Sequence, residues 1–444
     1  MRNQISLEIF IKHELEGGYF MLPFNMPPDT EAMTLSYHYE PYSKEEITVE
    51  GGRFTSQAKI NTIDLGLFAP DGTQAGASGS DKVSITISET YATPGYTPIA
   101  LTAGEWQILV GAYKVAAEGV TVQYTIEFTP KALRLFKGDL HTHTLGSDGV
   151  LTVEELTRHA MRHGLDFLAI TDHNQMVSTE ALPRIPGITL IPGVEWTHYQ
   201  GHANFLGVDK PYDEPFVSAK TGRSSVANTL EDAAKIFESA RDRGALITLN
   251  HPYEESCPYK FELDALPFDC LEVWNGPMRE SNLRAVGLWQ SLLVAGKRIP
   301  IVGGSDYHRD TLFQILGGPC MGVYALSNSP SDILAAIAQG HAYIVFAPDG
   351  PTLSKHANDA IMGDSLMWKE GLTLQLHAEG LKTGDVIRLV NKQDTINVFE
   401  APSDGSIDLA YPVSSPGFIL SGNPAHLPAR YSSPAGLDQQ PDLF

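Results

Sequence analysis

Between about residue 134 and residue 346, short apolar runs alternate with stretches of helical periodicity, and most of those runs stop beside a histidine or an acidic residue. Parallel neighbours in a sheet need a crossover of a dozen or more residues, usually a helix, so strand-length runs separated by helices predict parallel strands and an α/β architecture. The runs span 135–143, 166–171, 189–195, 203–208, 245–250, 270–274, 300–304 and 342–346, and the helical stretches span 153–163, 230–243, 280–295 and 332–339. The first helix sets Val153, Leu156 and Ala160 on one face and meets Gly164, a residue suited to the left-handed turn that ends a helix. Seven or eight strands in about 210 residues suit a closed or nearly closed barrel better than an open sheet.

The flanks read differently. Up to about residue 130, short alternating runs such as 82–88 and 120–128 are separated by Gly-, Pro- and Asp-rich turns, the pattern of a β-sandwich, with Trp106 as a core residue. Alternation returns after 347, in 372–378 and 386–390. Three domains are expected: an N-terminal β-sandwich-like domain over 1–132, a central α/β domain over 133–346, and a small C-terminal β domain over 347–444. The tail of the last, from Ser421, is rich in Pro and Ala and reads as loosely ordered or draped over a neighbour.

Acidic residues outnumber basic ones by 53 to 31, a formal charge of −22, so the surface field repels polyanions and argues against long nucleic acid as a partner. The N-terminus lacks a signal-peptide core, and no segment offers the roughly 18 uninterrupted apolar residues of a membrane helix. Cys257, Cys270 and Cys320 show no CxxC spacing, which fits a reducing compartment and structural roles. A cytoplasmic protein without membrane contact is expected, with homo-oligomerisation through the β domains left open.

The chemistry lies where the central runs stop. The first closes on Asp139-Leu-His141-Thr-His143, and an i, i+2 pair on a strand turns both imidazoles to one side, close enough to grip one ion. Asp148-Gly149 follows in a loop. Later runs deliver Asp172-His173-Asn174, Glu195 followed by His202, His251-Pro252, and Asp306-Tyr-His308. Singly these have ordinary explanations: His251 as a loop anchor, Asp306 as a helix cap, Asp148 as a turn residue. Their repetition at the strand ends where α/β folds build sites favours metal ligands. His159, His163, His198, His341 and His356 lack such partners and read as surface or packing residues.

Together, Lys137-Gly-Asp-Leu-His-Thr-His-Thr-Leu-Gly-Ser-Asp148-Gly, Leu168-Ala-Ile-Thr-Asp-His-Asn174, Pro192-Gly-Val-Glu195, Asn250-His-Pro252 and Gly304-Ser-Asp-Tyr-His308 resemble, in order, the motifs of the polymerase and histidinol phosphatase (PHP) family. The flanking β domains resemble the arrangement in its carbaryl-hydrolase-like (CehA/McbA) branch. The resemblance implies a distorted (β/α)7 barrel between two β-sandwich-like domains. It implies one ion on His141, His143, Glu195 and Asp306, a second bridged by Glu195 and held by His202 and His251, and a third on Asp148, His173 and His308. Asp148 stands where histidinol phosphatases usually carry His; the Ser-Asp-Gly form resembles nucleotide phosphatases and short-oligonucleotide exonucleases of the family.

A donor set of imidazole and carboxylate without thiolate suits two or three divalent ions of Mn, Fe or Zn. A hydroxide bridging two such ions is a nucleophile at neutral pH, so the expected activity is phosphoester hydrolysis of a small molecule, by a phosphatase or phosphodiesterase. Asp172, His308, Glu272 and Arg309 are the candidate catalytic or positioning residues: Asp172 to orient His173 or a water, Glu272 with Asn275 to support ligands or touch substrate, Arg309 or Arg223 to pair with phosphate. The alternatives are a carbamate or carboxyl ester hydrolase on the same metals, and a non-catalytic PHP interaction module. Substrate choice is placed in loops such as 209–228.

Overall fold

The computed structural model describes residues 4–43, 46–49, 52–55, 58–213, 229–392 and 394–422; Arg223, most of the 209–228 loop and the tail beyond Gly422 lie outside the described residues. The chain forms two compact units, Met1–Ala132 and Leu133–Phe444. In the first, Gln4–Ile11, Val120–Pro130, Thr30–His38 and Ser84–Ser88 form one antiparallel sheet, and Tyr19–Met26, Gly104–Lys114, Thr62–Phe68 and Gln74–Ser78 another. Alternate residues of both sheets, among them Leu35, Ile63, Ile108 and Ile126, share one core. Trp106 is fully buried there and donates from Nε1 to the Thr102 carbonyl at 2.9 Å.

The second unit is built on a nine-stranded, nearly closed sheet. Its strands are β1 (Arg134–Asp139), β2 (Phe167–Ile170), β3 (Thr189–His198), β4 (Gly201–Leu206), β5 (Leu246–Leu249), β6 (Cys270–Asn275), β7 (Ile301–Gly304), β8 (Cys320–Ala325) and β9 (Ala342–Val345). They lie in the order β7-β6-β5-β4-β3-β2-β1-β8-β9. The helices are α1 (Val153–Arg162), α2 (Leu230–Asp242), α3 (Glu280–Val294) and α4 (Pro330–Gln339). Thr152 and Glu155 close a reciprocal cap on α1, and Gly164 follows it with φ 77°.

Two features depart from the sequence expectation of parallel strands. Strand β4 runs antiparallel to both β3 and β5, because only Tyr199 and Gln200 separate it from β3 and so short a link admits nothing but a hairpin. Strand β8, absent from the sequence reading, pairs antiparallel with β1 and β9. Its Gly322 looks like a break in the sequence, but the Tyr343 ring packs there, where a Cβ would come within 2.6 Å of it. At one end the sheet draws together: the segment after β1 meets the segment after β7 through a parallel bridge between Thr142 and Tyr307.

Within the same unit the C-terminal region forms a four-stranded antiparallel sheet (Ala360–Ile361, Thr352–Ala357, Thr373–Leu381, Gly405–Pro412) and a three-stranded one (Thr395–Glu400, Val386–Val390, Leu420–Gly422) around Leu376, Ile387 and Leu389. A cavity of about 1210 Å³ between these strands and the outer side of β6, β9 and α3 is lined by Trp274, Trp289, Tyr343, Leu353 and Lys355 among others. Among the described residues no helix is long and apolar enough to cross a membrane.

Candidate metal centre

Strand β1 ends at Asp139, short of the expected run to His143, and the segment beyond it passes between the exits of β2 and β7 with a single bridge at Thr142. Thr142 donates from its backbone to Thr171 Oγ1 at 3.0 Å and from its hydroxyl to the Ala169 carbonyl at 2.6 Å, and the His143 amide reaches the Tyr307 carbonyl at 2.9 Å. Thr142 therefore faces away while His141 and His143 face the same side. His141 can lie against β7 because residue 304 is glycine: a Cβ there would come within 2.4 Å of the His141 Cβ. On β3, Glu195 pairs with Asn204, so His202 lies diagonal to it on the same face of the hairpin. His202 thus comes from the start of an antiparallel strand rather than from the end of a parallel one.

Just past their strands, Asn174, His251 and Asp306 adopt positive φ of 51°, 22° and 49°. Such backbone is uncommon for residues with a Cβ and concentrates at functional sites. The Asn174 side chain stabilises its own turn by bonding both the carbonyl and the amide of Thr197, at 3.0 Å each.

All nine residues read as metal ligands come together. Glu195 is fully buried at the centre: Oε1 lies 3.3 Å from His141 Nε2, 3.1 Å from His202 Nδ1 and 3.3 Å from His251 Nε2, while Oε2 lies 2.8 Å from His173 Nδ1 and 3.4 Å from His143 Nε2. Asp306 Oδ1 stands 2.9 Å from His143 Nε2 and 3.4 Å from His141 Nε2. Asp148 Oδ1 stands 3.1 Å from His308 Nε2 and 3.6 Å from His173 Nε2. Side-chain exposure rises from 0% at Glu195 through 24% at Asp306 and His308 to 59% at Asp148, so the cluster opens to solvent on the Asp148 side.

The donors form subsets whose ligand atoms lie within 4.8 Å of one another, among them His141, His143 and Glu195; His141, His251 and Asp306; His173, Glu195 and His202; and His143, Asp148, His173 and His308. Buried His141 Nε2, both ring nitrogens of His143 and Glu195 Oε2 have no well-aligned hydrogen bond among the described residues, although close neighbours of opposite character stand beside His141 Nε2, His143 Nε2 and Glu195 Oε2. Polar atoms are rarely buried that way, and lone pairs converging from imidazole and carboxylate fit divalent cations. Burial works against a charged His141, but Asp306, Glu272 and Glu195 outweigh it and hold the ring well above the usual histidine range. Burial likewise opposes ionised Glu195 and Asp306, yet the surrounding imidazoles keep both carboxyls well below the ordinary range.

The four candidate catalytic residues separate. Glu272, on β6, is buried behind the ligands: Oε1 lies 3.0 Å from His141 Nδ1, and Oε2 accepts from the His251 amide at 2.9 Å and from Asn275 Nδ2 at 3.3 Å. Asn275 Nδ2 is also 3.3 Å from Asp306 Oδ2. Asp172, read as an orienter of His173, instead spends its carboxylate on the loop that carries Asp148, accepting from the Thr144 amide (2.7 Å), the Thr144 hydroxyl (2.6 Å) and the Ser147 hydroxyl (2.7 Å). His173 is oriented by Thr197 Oγ1, 2.6 Å from Nδ1. His308 lies within the cluster, and Arg309 is exposed.

Sequence reasoning placed three neighbours of the cluster outside the site. Asn250 donates to Glu195 Oε1 at 2.9 Å and is locked to Asn204; its place directly before His251 was the available signal. Buried Asp139 accepts from the amides of His141, Ser305 and Gly317 and from the Ser305 hydroxyl, tying the exit of β1 to that of β7; burial pushes its carboxyl up to about 6 against those donors. Cys257 Sγ lies 3.8 Å from His251 Nδ1, a contact that its spacing in the sequence does not announce.

Residues 139–248 match the family model for the PHP domain. The chain is similar to the 5'-3' exoribonuclease Rnm of Salmonella typhimurium, with 35% identity over 121 residues covering 24% of this chain and 40% of the relative. The Escherichia coli protein of the same name is 35% identical over 119 residues, again 24% of this chain and 40% of the relative. The chain therefore spans about two fifths of the length of these relatives. Among solved structures, a two-domain protein from Bacteroides vulgatus described as containing a PHP-like metal-dependent phosphoesterase gives a TM-score of 0.38 at 20% identity, over 66% of this chain and 86% of that one. An amidohydrolase from Chromobacterium violaceum gives 0.29 at 18% identity, over 48% and 98%.

Proposed function

We propose that the chain is a metal-dependent phosphoesterase acting on a small molecule, with two or three divalent ions of Mn, Fe or Zn. The observation that carries the reading is the convergence of five imidazoles on buried Glu195. His141, His143, Glu195 and Asp306 would hold one ion; Glu195, His202 and His251 a second; Asp148, His173 and His308 a third. Bound there, the ions would make a water nucleophilic near neutral pH and draw charge from a phosphoryl oxygen. The chain's own groups fix the donors. Glu272 holds His141 and the His251 backbone, Thr197 holds His173, and Asp172 braces the loop bearing Asp148. Substrate enters on the open Asp148 side, where Arg309 supplies a cation for its phosphate.

In this reading β1 to β7 form the distorted (β/α)7 barrel, closed through Thr142 and Tyr307, with 1–132 and 347–444 as flanking domains. The match to exoribonucleases favours a second reading, removal of nucleotides from short RNA. The −22 charge then restricts it to short substrates rather than long polyanions. Ester or carbamate hydrolysis on the same ions is the remaining alternative.

The test is turnover by the full chain, loaded in turn with Mn, Fe and Zn, of phosphate monoesters, phosphodiesters, short 5'-phosphorylated oligoribonucleotides and aryl carbamates. Release from small phosphoesters supports the proposal. Turnover of the oligoribonucleotides alone moves it to the second reading, and turnover of carbamates alone to the third. Inactivity with every metal refutes all three in favour of an interaction module.

A further inference from the structure

His251 is fixed at three points. Its amide donates to Glu272 Oε2 at 2.9 Å, its Nε2 lies 3.3 Å from Glu195 Oε1, and its Nδ1 lies 3.8 Å from Cys257 Sγ. Other rings of the cluster show what the third contact does. His141 Nδ1 lies 3.0 Å from Glu272 Oε1, and His308 Nδ1 lies 2.8 Å from the Asp306 carbonyl; in both, Nε2 is left to face the carboxylates of the cluster. A partner at the outer nitrogen sets the tautomer and the orientation of a metal-binding imidazole, and its loss typically costs about 10–100-fold in metal affinity or activity. For His251 that partner is sulfur.

Cys257 is well placed for the task. It lies in the loop between β5 and β6, six residues after His251, where the Tyr259 amide reaches back to the Pro252 carbonyl at 3.0 Å and the Glu254 amide to the His251 carbonyl at 3.0 Å. The Ser256 hydroxyl is 3.6 Å from Sγ. Cys257 is half-buried, whereas Cys270 and Cys320 are buried in the core. A donor atom from each of His202, His251 and Cys257 falls within 4.8 Å of the others, so the thiol borders the second proposed ion.

We propose that Cys257 is the positioning residue for His251, its sulfur holding Nδ1 so that Nε2 faces Glu195, and that covalent modification of this thiol releases the ion His251 serves. The inference rests on the metal-site reading above.

The experiment measures ions bound per chain, and their affinities, by competition with a chromophoric chelator, on the full-length wild type, Cys257→Ala and Cys257→Ser. Melting of the metal-free proteins is followed alongside. Cys257→Ala is expected to weaken one ion about 10–100-fold, and Cys257→Ser, which keeps a hydrogen-bonding atom at the same place, to recover most of that loss, with equal metal-free melting throughout. Methylthiolation of the wild type by a small thiosulfonate, which replaces the thiol hydrogen with a methylthio group and releases a sulfinic acid, should weaken the same ion. Dithiothreitol should restore it, and Cys257→Ser should not respond. Unchanged affinity in Cys257→Ala overturns the proposal. So does equal loss in the Ala and Ser variants, which would make sulfur a ligand rather than a positioning group. A wild type that binds metal while Cys257→Ala behaves identically leaves the metal-site reading standing; a wild type that binds none removes both.

Discussion

Glu195 Oε2 lies 2.8 Å from His173 Nδ1, and the two residues are also joined through their backbones by a parallel bridge between the segment after β2 and the body of β3. Through His173 the central carboxylate is linked to Asp148, since Nε2 of the same ring is 3.6 Å from Asp148 Oδ1. Glu195→Gln should therefore abolish turnover and release at least one ion, because a neutral amide gives up attraction to five imidazoles at once. Elemental analysis of metal per chain checks this, and full occupancy in the variant would take Glu195 out of the bridge.

Asp148 is the carboxylate at the open edge. Asp148→Ala is expected to weaken the ion shared with His173 and His308 while leaving the ions held by His141, His143, Glu195, Asp306, His202 and His251 near full occupancy. Turnover should fall at least 10-fold, the lower end of what losing a mere supporting group costs. Asp148→Asn keeps the turn propensity of the Ser147-Asp148-Gly149 loop and removes only the charge. Wild-type stoichiometry and turnover in the Asn variant would show that Asp148 only shapes the turn.

Glu272 touches two ligand-bearing residues without joining the nine-residue cluster itself. Glu272→Gln preserves shape but removes the charge beside His141 Nδ1. Metal affinity should drop about 10–100-fold while the far-ultraviolet circular dichroism stays that of the wild type. Unchanged affinity in a metal titration would reduce Glu272 to a packing residue.

Away from the cluster, Lys355 lines the large cavity and donates to the Ile419 carbonyl at 2.9 Å; burial pushes its ammonium down to about 8 from 10.5. Between those two values the unfolded chain holds more protons than the folded one, so this lysine's contribution to stability rises with pH across the window. Its cost is fully present below about 8 and gone above 10.5. Lys355→Met should then melt a few degrees higher than wild type at about pH 7, at roughly 2–4 °C per kcal/mol, and the gap should narrow as pH climbs toward 10.5. A gap independent of pH in thermal melts would refute the assignment.

Much of the centre was legible because metal chemistry leaves few residue types to choose from. His141 and His143 show strand spacing, and Asp172-His173, His251 and Asp306-Tyr-His308 each follow an apolar run. What stayed hidden depends on chain direction and on distance across the fold. The antiparallel course of β4 could have been inferred from the two-residue link at Tyr199 and Gln200, yet strand-helix alternation elsewhere favoured a parallel reading. Asp172 looked like a partner for its neighbour His173, but its carboxylate turns toward Thr144, twenty-eight residues away in sequence. Nothing in the spacing of Cys257 announces that its sulfur meets His251.

The positive φ angles of Asn174, His251 and Asp306 have a further consequence for motion. Backbone held in such a region costs on the order of 1–3 kcal/mol per residue and persists only where surrounding contacts insist on it. At these strand exits the carboxylate and imidazole contacts would be among the first weakened when ions are withdrawn. Local opening should therefore begin at the rim while the strands beneath stay closed. In hydrogen exchange, chelation should speed the amides of Asn174, His251 and Asp306 well before those of Leu168, Ile247 or Val302. A chelated protein whose rim exchanges as slowly as its sheet would show that packing alone holds the bent exits in place. Otherwise, the ions also serve as latches, and the rim breathes when they leave.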